Sequence, residues 1–476
     1  MKALFQYYLK SVGIIFCVFI IFYSLSTQVS QLIRAQSHGA WGIYHYYIGG
    51  KYLKELGYFD LYSCSLEANK DSWKSIKKAR DLKTYKIVPI NKLSRCPVNN
   101  FSKERWNEFS KDVSFITSRA PLQYWENALT DKGFNATPFW AALSAVVSDI
   151  ISLNSATYLF LFNLDILFIV VTSLVVWRSA GKFVGLTTLI LSFLYFGALN
   201  IIGGNFLQYG WLPLLAGSFV LWNKKSFGKS GVMLGLATGL QAFPVFFALP
   251  VLFNFIFSAI NKRNKEAKPY FIFLKTFIVT LLFCFLIGGI YGGVYSWTQW
   301  SEKITIQKNY INGEIFNIGF PNLIGSVLTN HNSNSETYSE DYIHTVRRVK
   351  AIEKNAILLY LTTFFLLIPV FGTIYRSKKI NPMIFGYFFI YITTTLSPYY
   401  YLTLALLPFV FWNNSRYVKR FALWGTLGLF LIHLLLFPRG YVVFDYQRHL
   451  LSEVLIFYFF FILLILLSLE TKKLRI

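Results

Sequence analysis

The sequence predicts an all-α, polytopic integral membrane protein, and three observations predict it. The 476 residues are 55% hydrophobic and only 14% charged, too few charges to coat a soluble fold of this size. Apolar runs near 11–29, 157–177, 183–200, 206–222, 270–292, 355–375, 382–396, 420–437 and 451–469 mostly reach the ~20 residues that a ~30 Å hydrocarbon core requires. These runs are apolar all round instead of alternating with period two, which excludes a transmembrane β-barrel. With two further short segments, the expected total is ten to thirteen transmembrane helices in one domain, 1–476. The 48 Phe and 31 Tyr suit lipid-facing and interfacial positions.

The first run follows Met1–Lys10. It is long, and Ser26–Gln36 offers no small-residue cleavage site, so it reads as an uncleaved anchor. The formal charge of +24 suggests nucleic acid at first sight, but the cations cluster at helix ends, as cytoplasmic loops require. Placing Arg178/Lys182, Lys224/Lys225/Lys229, Lys262–Lys268, Arg376–Lys379, Arg416–Arg420 and Lys472–Arg475 inside leaves 30–137, 200–205, 293–350, 397–400 and 438–450 outside. The N-terminus is then cytoplasmic. This topology requires 138–177 to cross a net odd number of times. It also requires 230–258, broken at Pro244, to go out and back as two short helices.

Two external segments stand out by length, 30–137 and 293–350. Long loops are exempt from the positive-inside bias. In the first, 44–56 separates at ~100° per residue into a side with Ile48, Tyr52, Leu53 and Leu56 and a side with Lys51, Lys54 and Glu55. It reads as an amphipathic helix lying in the membrane interface, weakened by Gly49 and Gly50 and stopped at Gly57. "SKERWNEFSKDVSFIT", 102–117, reads as a second helix, capped by Ser102, with Trp106, Phe109, Val113 and Ile116 as its stripe. "TDKGFNATPFW", 130–140, returns the chain to the membrane, with Pro138 in the first turn of the next helix. Of four cysteines, Cys17 and Cys284 lie in apolar runs. Cys64 and Cys96 share the first external loop and can pair in an oxidising compartment, closing a loop worth ~2–4 kcal/mol. No CxxC motif or His cluster suggests zinc.

This arrangement resembles the GT-C superfamily of membrane glycosyltransferases. One span precedes a large first external loop, and a second sizeable external loop follows about seven spans. "YHYYIGGKYLKELGYFDLY", "ARDLKTY", "RWNEFSKDVSFI" and "TDKGFNATPFW" resemble first-loop segments of bacterial multi-span proteins of GT-C type. "GNFLQYGWLPLLAGSFVLW" and "GVMLGLATGLQAFPVFFALPVLF" are similar to the helix–helix–Pro segment of polyprenol-phosphate-mannose-dependent mannosyltransferases. The likeness is residue-specific over roughly 42–140 and 203–258. It implies a multi-pass protein of the bacterial cytoplasmic membrane. It also implies transfer of a sugar from a polyprenyl-phosphate donor to a lipid, glycan or protein acceptor on the external face, with inversion and without nucleic acid. An acidic base is expected about three residues before the His of "HYYIGGKY", where this chain has Gly42; Glu55 is its first carboxylate.

Such transfer needs a base for the acceptor hydroxyl and cations for the donor phosphate. The candidate bases are Asp131 and Asp60, then His45 and Glu55. Asp81 beside Arg80 reads as a local ion pair, and "FDLY" and "TDKG" are also good turn sequences. Arg347 and Arg348 are the candidate phosphate ligands because the guanidinium fork matches phosphate oxygens. Lys51 is a weaker candidate, and Gln241 stands where the mannosyltransferases often carry Lys. Asp149 and Asp165 lie in apolar runs, so each should face protein or water. Clustered acids are few, which disfavours a tightly bound divalent metal, and no other cofactor is implied. Two other readings remain open: a lipid or solute transporter or flippase, which would favour repeated broken helices, and a non-catalytic GT-C relative.

Overall fold

The computed structural model describes residues 40–194, 202–311, 317–329, 338–377, 380–436 and 446–473, with Phe22, Ser26 and Glu314 as isolated positions. The reading of 11–29 as an uncleaved anchor, and Cys17 with it, lie outside the described residues, apart from Phe22 and Ser26.

The described chain is almost wholly helical; its sheet is one two-stranded ribbon. It is an all-α polytopic membrane protein. Six helices are long and apolar enough to cross a bilayer: Ser155–Ala180, Phe243–Ile260, Asn264–Gly292, Ala356–Arg376, Arg416–Leu436 and Tyr446–Thr471. Six shorter apolar helices of 10–17 residues accompany them. Outward-facing Phe283, Leu286, Phe364, Phe365 and Phe461 are more than half exposed, as expected of surfaces that meet hydrocarbon tails.

Within 138–177 one helix is long and apolar enough to cross a bilayer. Pro138–Ile150 has 13 residues, about 20 Å at 1.5 Å per residue and too short to span. Both ends of the turn that follows it rest on the first loop: the Tyr47 hydroxyl donates to the Ile151 carbonyl, and Arg119 donates to Ser155 Oγ. Ser155–Ala180 starts beside that loop and is long and apolar enough to cross. The break in 230–258 comes at Gln241–Ala242, between Phe227–Leu240 and the turn Phe243–Phe247.

The first loop is a compact unit packed on these helices. Ser102 caps Lys103–Thr117 by accepting the Arg105 N–H, and Phe109, Val113 and Ile116 are buried along one face. Thr137 caps Pro138–Ile150 with Pro138 at its start. Lys78–Arg80 and Ile87–Pro89 pair antiparallel, Ala79 opposite Val88, and Cys64 is bonded to Cys96.

The 44–56 segment differs from an interfacial helix. It is helical from Ala40 to Lys51, with one widened turn at Ile43–Ile48, and resumes at Leu53–Leu56. Gly57 ends it at φ +52°. Of residues 42–56 only Lys54 is exposed, so neither side lies in headgroups. The two glycines explain the close packing: a Cβ on Gly49 would strike the Phe134 ring, and one on Gly50 the Ser144 side chain. The polar side is buried because Lys103–Thr117 supplies counter-charges. Lys51 Nζ lies 2.7 Å from both Glu108 and Asp112, and Arg105 pairs with Glu55 and Glu108 at 2.7 Å.

Candidate functional site

The site is built where the first loop, the second loop and two helix breaks converge. The Asp131 carboxylate is half-buried and accepts the Trp41 indole N–H at 2.7 Å. The backbone around it is fixed by Arg80, whose Nε donates to the Thr130 and Asp131 carbonyls at 2.9 and 3.0 Å. Burial works to raise the Asp131 pKa. Lys132, the Trp41 indole and the Lys132 backbone N–H oppose it, and the group is held below the usual carboxylate range.

His45 is buried beneath Asp131. Its Nδ1 lies 2.9 Å from the Trp41 carbonyl, which can only accept, so Nδ1 carries the proton. Nε2 is left to accept from the Tyr62 hydroxyl at 2.8 Å, and Tyr62 in turn accepts the Gly133 N–H. Burial lowers the His45 pKa despite the Asp131 charge. Both ring nitrogens are engaged, so His45 orients the Trp41–Asp131 edge and is not placed as a base.

Around Asp131 the lining is polar and aromatic. Tyr46 donates to Asn135, Asn135 to Gln307 and Gln307 to the Lys132 carbonyl. Tyr124 and Tyr399 lie close enough to sense the Asp131 charge. Gln241 donates to Gln208 and accepts from Tyr400 at 3.0 Å, so the break in 230–258 opens onto this lining. Lys132 is ion-paired with Glu314. Asn317 also holds Glu314, and its own carbonyl accepts from His449 at 3.1 Å. Glu453 accepts the Gly319 N–H. A chain of polar contacts thus runs from the acid to the second loop and the last helix.

Lys303, on Ser296–Ile311, is fully buried and makes no hydrogen bond among the described residues. Its Nζ lies 5.8 and 5.7 Å from the Phe59 and Tyr85 ring centroids. Burial and the Arg80 guanidinium push its pKa down to about 7, against the pull of Asp131 and Asp81.

The other sequence candidates fall elsewhere. Asp60 faces Lys83 at 3.9 Å, and burial raises its pKa despite that lysine. Glu55 and Lys51 belong to the ion network with Arg105, Glu108 and Asp112; Lys51, 4% exposed, is not free to meet a phosphate. Arg348 is fully buried, its guanidinium 4.7 Å from the Tyr446 ring centroid, whereas Arg347 beside it is exposed. Asp149 is exposed. Asp165 is buried and accepts the Gly203 and Asn205 backbone N–H groups at 3.1 Å each. Among the described residues no three His, Cys, Asp or Glu side chains converge to hold a metal ion. Sequence reasoning missed Trp41, Tyr62, Asn135, Gln208, Lys303, Gln307, Glu314 and the 399–400 tyrosines. For the aromatic and amide residues among them the one signal was their density in and beside the segments placed outside; Lys303 and Glu314 carried none.

Gly42 closes the geometry. A Cβ there would overlap the Gly204 carbonyl and lie 2.8 Å from the Asn205 Cα and Oδ1. The 203–205 turn, held by Asp165, occupies the space an acid at 42 would fill. Two carboxylates reach this neighbourhood: Asp165 through the 203–205 turn, where its Oδ2 is taken up by backbone N–H groups, and Asp131 through the indole of Trp41.

No known family, curated protein or solved structure matches the chain.

Proposed function

We propose that the protein is a membrane glycosyltransferase of the GT-C type, moving a sugar from a polyprenyl-phosphate donor to an acceptor hydroxyl at the external face of the cytoplasmic membrane. The observation that carries this reading is Asp131, a half-buried, ionised carboxylate bonded to the indole of Trp41, the residue before the Gly42 position where the resemblance leads one to expect an acid. In the reaction, Asp131 takes the proton of the acceptor hydroxyl as its oxygen bonds to the anomeric carbon. The bond from that carbon to the phosphate oxygen breaks, polyprenyl phosphate leaves with the electron pair, and the anomeric centre inverts.

Two features support donor binding. Arg347 is the exposed arginine of the Tyr338–Lys354 helix, with Lys350 and Lys354 also exposed, and its guanidinium is available to a phosphate. A largely apolar groove of about 780 Å³, lined by Phe320, Leu323, Phe388, Tyr391, Phe457 and Phe460, begins one residue beyond Glu453 and accommodates a prenyl tail. Gln241, fixed by Tyr400 and Gln208, orients polar donor groups by hydrogen bonding.

The test is comparison of envelope lipids and glycans from cells carrying the wild type, Asp131→Asn, Asp60→Asn or His45→Gln. The reading expects one glycan to disappear with Asp131→Asn and persist with Asp60→Asn. A glycan profile unchanged by Asp131→Asn overturns it.

A further inference from the structure

We infer that the outer face of the first loop, residues 70–95, is a docking surface for a polyanionic envelope polymer bearing phosphate or carboxylate groups. On the transferase reading this polymer is the acceptor, and only that last step rests on it.

The charge outside the membrane is not spread evenly. Residues 70–95 carry nine Lys/Arg against two Asp, a net of +7. Segments 30–69, with three of each sign, and 96–137 and 293–350, with five of each sign, are neutral. The positive-inside rule explains cations on cytoplasmic loops and gives no reason for a +7 segment within an otherwise neutral exterior. Eight of the nine cations are exposed; Arg80 alone is buried. Lys70, Lys74 and Lys83 have loose surface partners in Glu67, Asp71 and Asp60 at 3.2–3.9 Å, and such pairs are worth little. Lys77, Lys78, Lys86, Lys92 and Arg95 have no ion pair among the described residues.

The eight exposed cations are mounted on fixed backbone, and three of them, Lys70, Lys74 and Arg95, border a concavity. The Cys64–Cys96 bridge and the antiparallel ribbon tie the segment together. Between them lies a groove of about 570 Å³, lined by Lys70, Lys74 and Arg95 against one carboxylate, Glu67, with Ser63 and Ser94 as hydroxyl groups and an apolar floor that includes Trp73 and Leu93. An apolar floor with a cationic rim suits a chain of sugar or polyol units carrying regularly spaced anions. A lipid surface fits less well, because membrane-bound faces add exposed apolar anchors to their cations. Over 61–100 the single large hydrophobic residue that is exposed is Val98, at 37%.

The test uses the full chain in nanodiscs of zwitterionic phosphatidylcholine, with fluorescent poly(glycerol phosphate), polygalacturonate and neutral dextran as probes. The five unpaired cations are changed together to Gln (Lys77, Lys78, Lys86, Lys92 and Arg95). A second variant changes Lys262, Lys265 and Lys268 to Gln as a charge control. We expect saturable binding of one or both anionic polymers and none of dextran. Affinity should fall with salt and drop about tenfold or more in the five-site variant but not in the control. Asp131→Asn should bind as wild type, so loss of transfer and loss of docking separate. Absence of polymer binding, unchanged affinity in the five-site variant, or preference for phosphatidylglycerol vesicles over the polymers would overturn the proposal.

Discussion

At Asp131 a carboxylate is kept charged while half-buried, and the means are local: Lys132, the Trp41 indole N–H and the Lys132 backbone N–H. Removing the charge while keeping the shape isolates its role. Asp131→Asn should cut transfer by about 10²–10⁴-fold, the usual worth of a general base, with little change in thermal unfolding. Since the Asp131 pKa is depressed, the base stays ionised until pH falls below the ordinary carboxylate range, so the acid limb of the rate profile should lie there. A limb near pH 6–7 would point to another base. Gly42→Asp is the opposite experiment. It restores the acid that the resemblance leads one to expect, yet its side chain meets the 203–205 turn. It should destabilise by about 1–3 kcal/mol or more, as overpacking does, without raising activity; a gain in activity would show that the turn yields. Asp131 was legible as a candidate because "TDKG" sits at the return to the membrane. Trp41 was not, because an indole gives no sequence sign of which carboxylate it will meet 90 residues on.

Among the elements, the helices with clear caps were legible. Ser102 and Thr137 start helices where their sequences place them, and Gly57 stops one. The 44–56 stretch shows where such reading ends. Its periodicity separates apolar from charged residues, but burial of the charged side depends on Glu108 and Asp112, more than 50 residues downstream. Both Lys51→Met and Asp112→Ala remove one partner of a buried pair, so unfolding in detergent should show losses of about 3–5 kcal/mol. The double change should cost less than the sum of the two. Additive losses would mean the two groups are not coupled. The network also has an acid dependence with a defined sign. Burial raises the Glu108 pKa, but its bonds to Lys51 and Arg105 outweigh this and depress it. Its contribution is fully present above the ordinary carboxylate range and is lost as pH falls through the depressed value. Replacing Cys64 and Cys96 by Ser should lower loop stability by about 2–4 kcal/mol; protease resistance of the first loop equal to wild type would contradict that.

For the whole molecule, the membrane class follows from composition and run length, since twenty apolar residues in a row have few other uses. The convergence of both loops on the 241–242 break could not be read from spacing. It depends on packing between segments as distant as Lys132 and Glu314, or Glu314 and His449 through Asn317. That convergence makes the external end a single unit, with the acid, the amide-lined wall and the last helix joined by polar contacts. A second pair of short apolar helices, Pro382–Thr393 and Pro398–Val410, breaks at 394–397 and meets the first break through the Tyr400–Gln241 bond, a pairing a transporter would share, so turnover and transbilayer movement have to be measured side by side. The decisive measurement is turnover of polyprenyl-phosphate hexose by purified protein in liposomes, read as release of polyprenyl phosphate, with Asp131→Asn alongside. The account predicts donor consumption and sugar transfer by the wild type and loss of about 10²-fold or more in the variant. Equal turnover by the two proteins, or transbilayer movement of intact donor without release of polyprenyl phosphate, would contradict it.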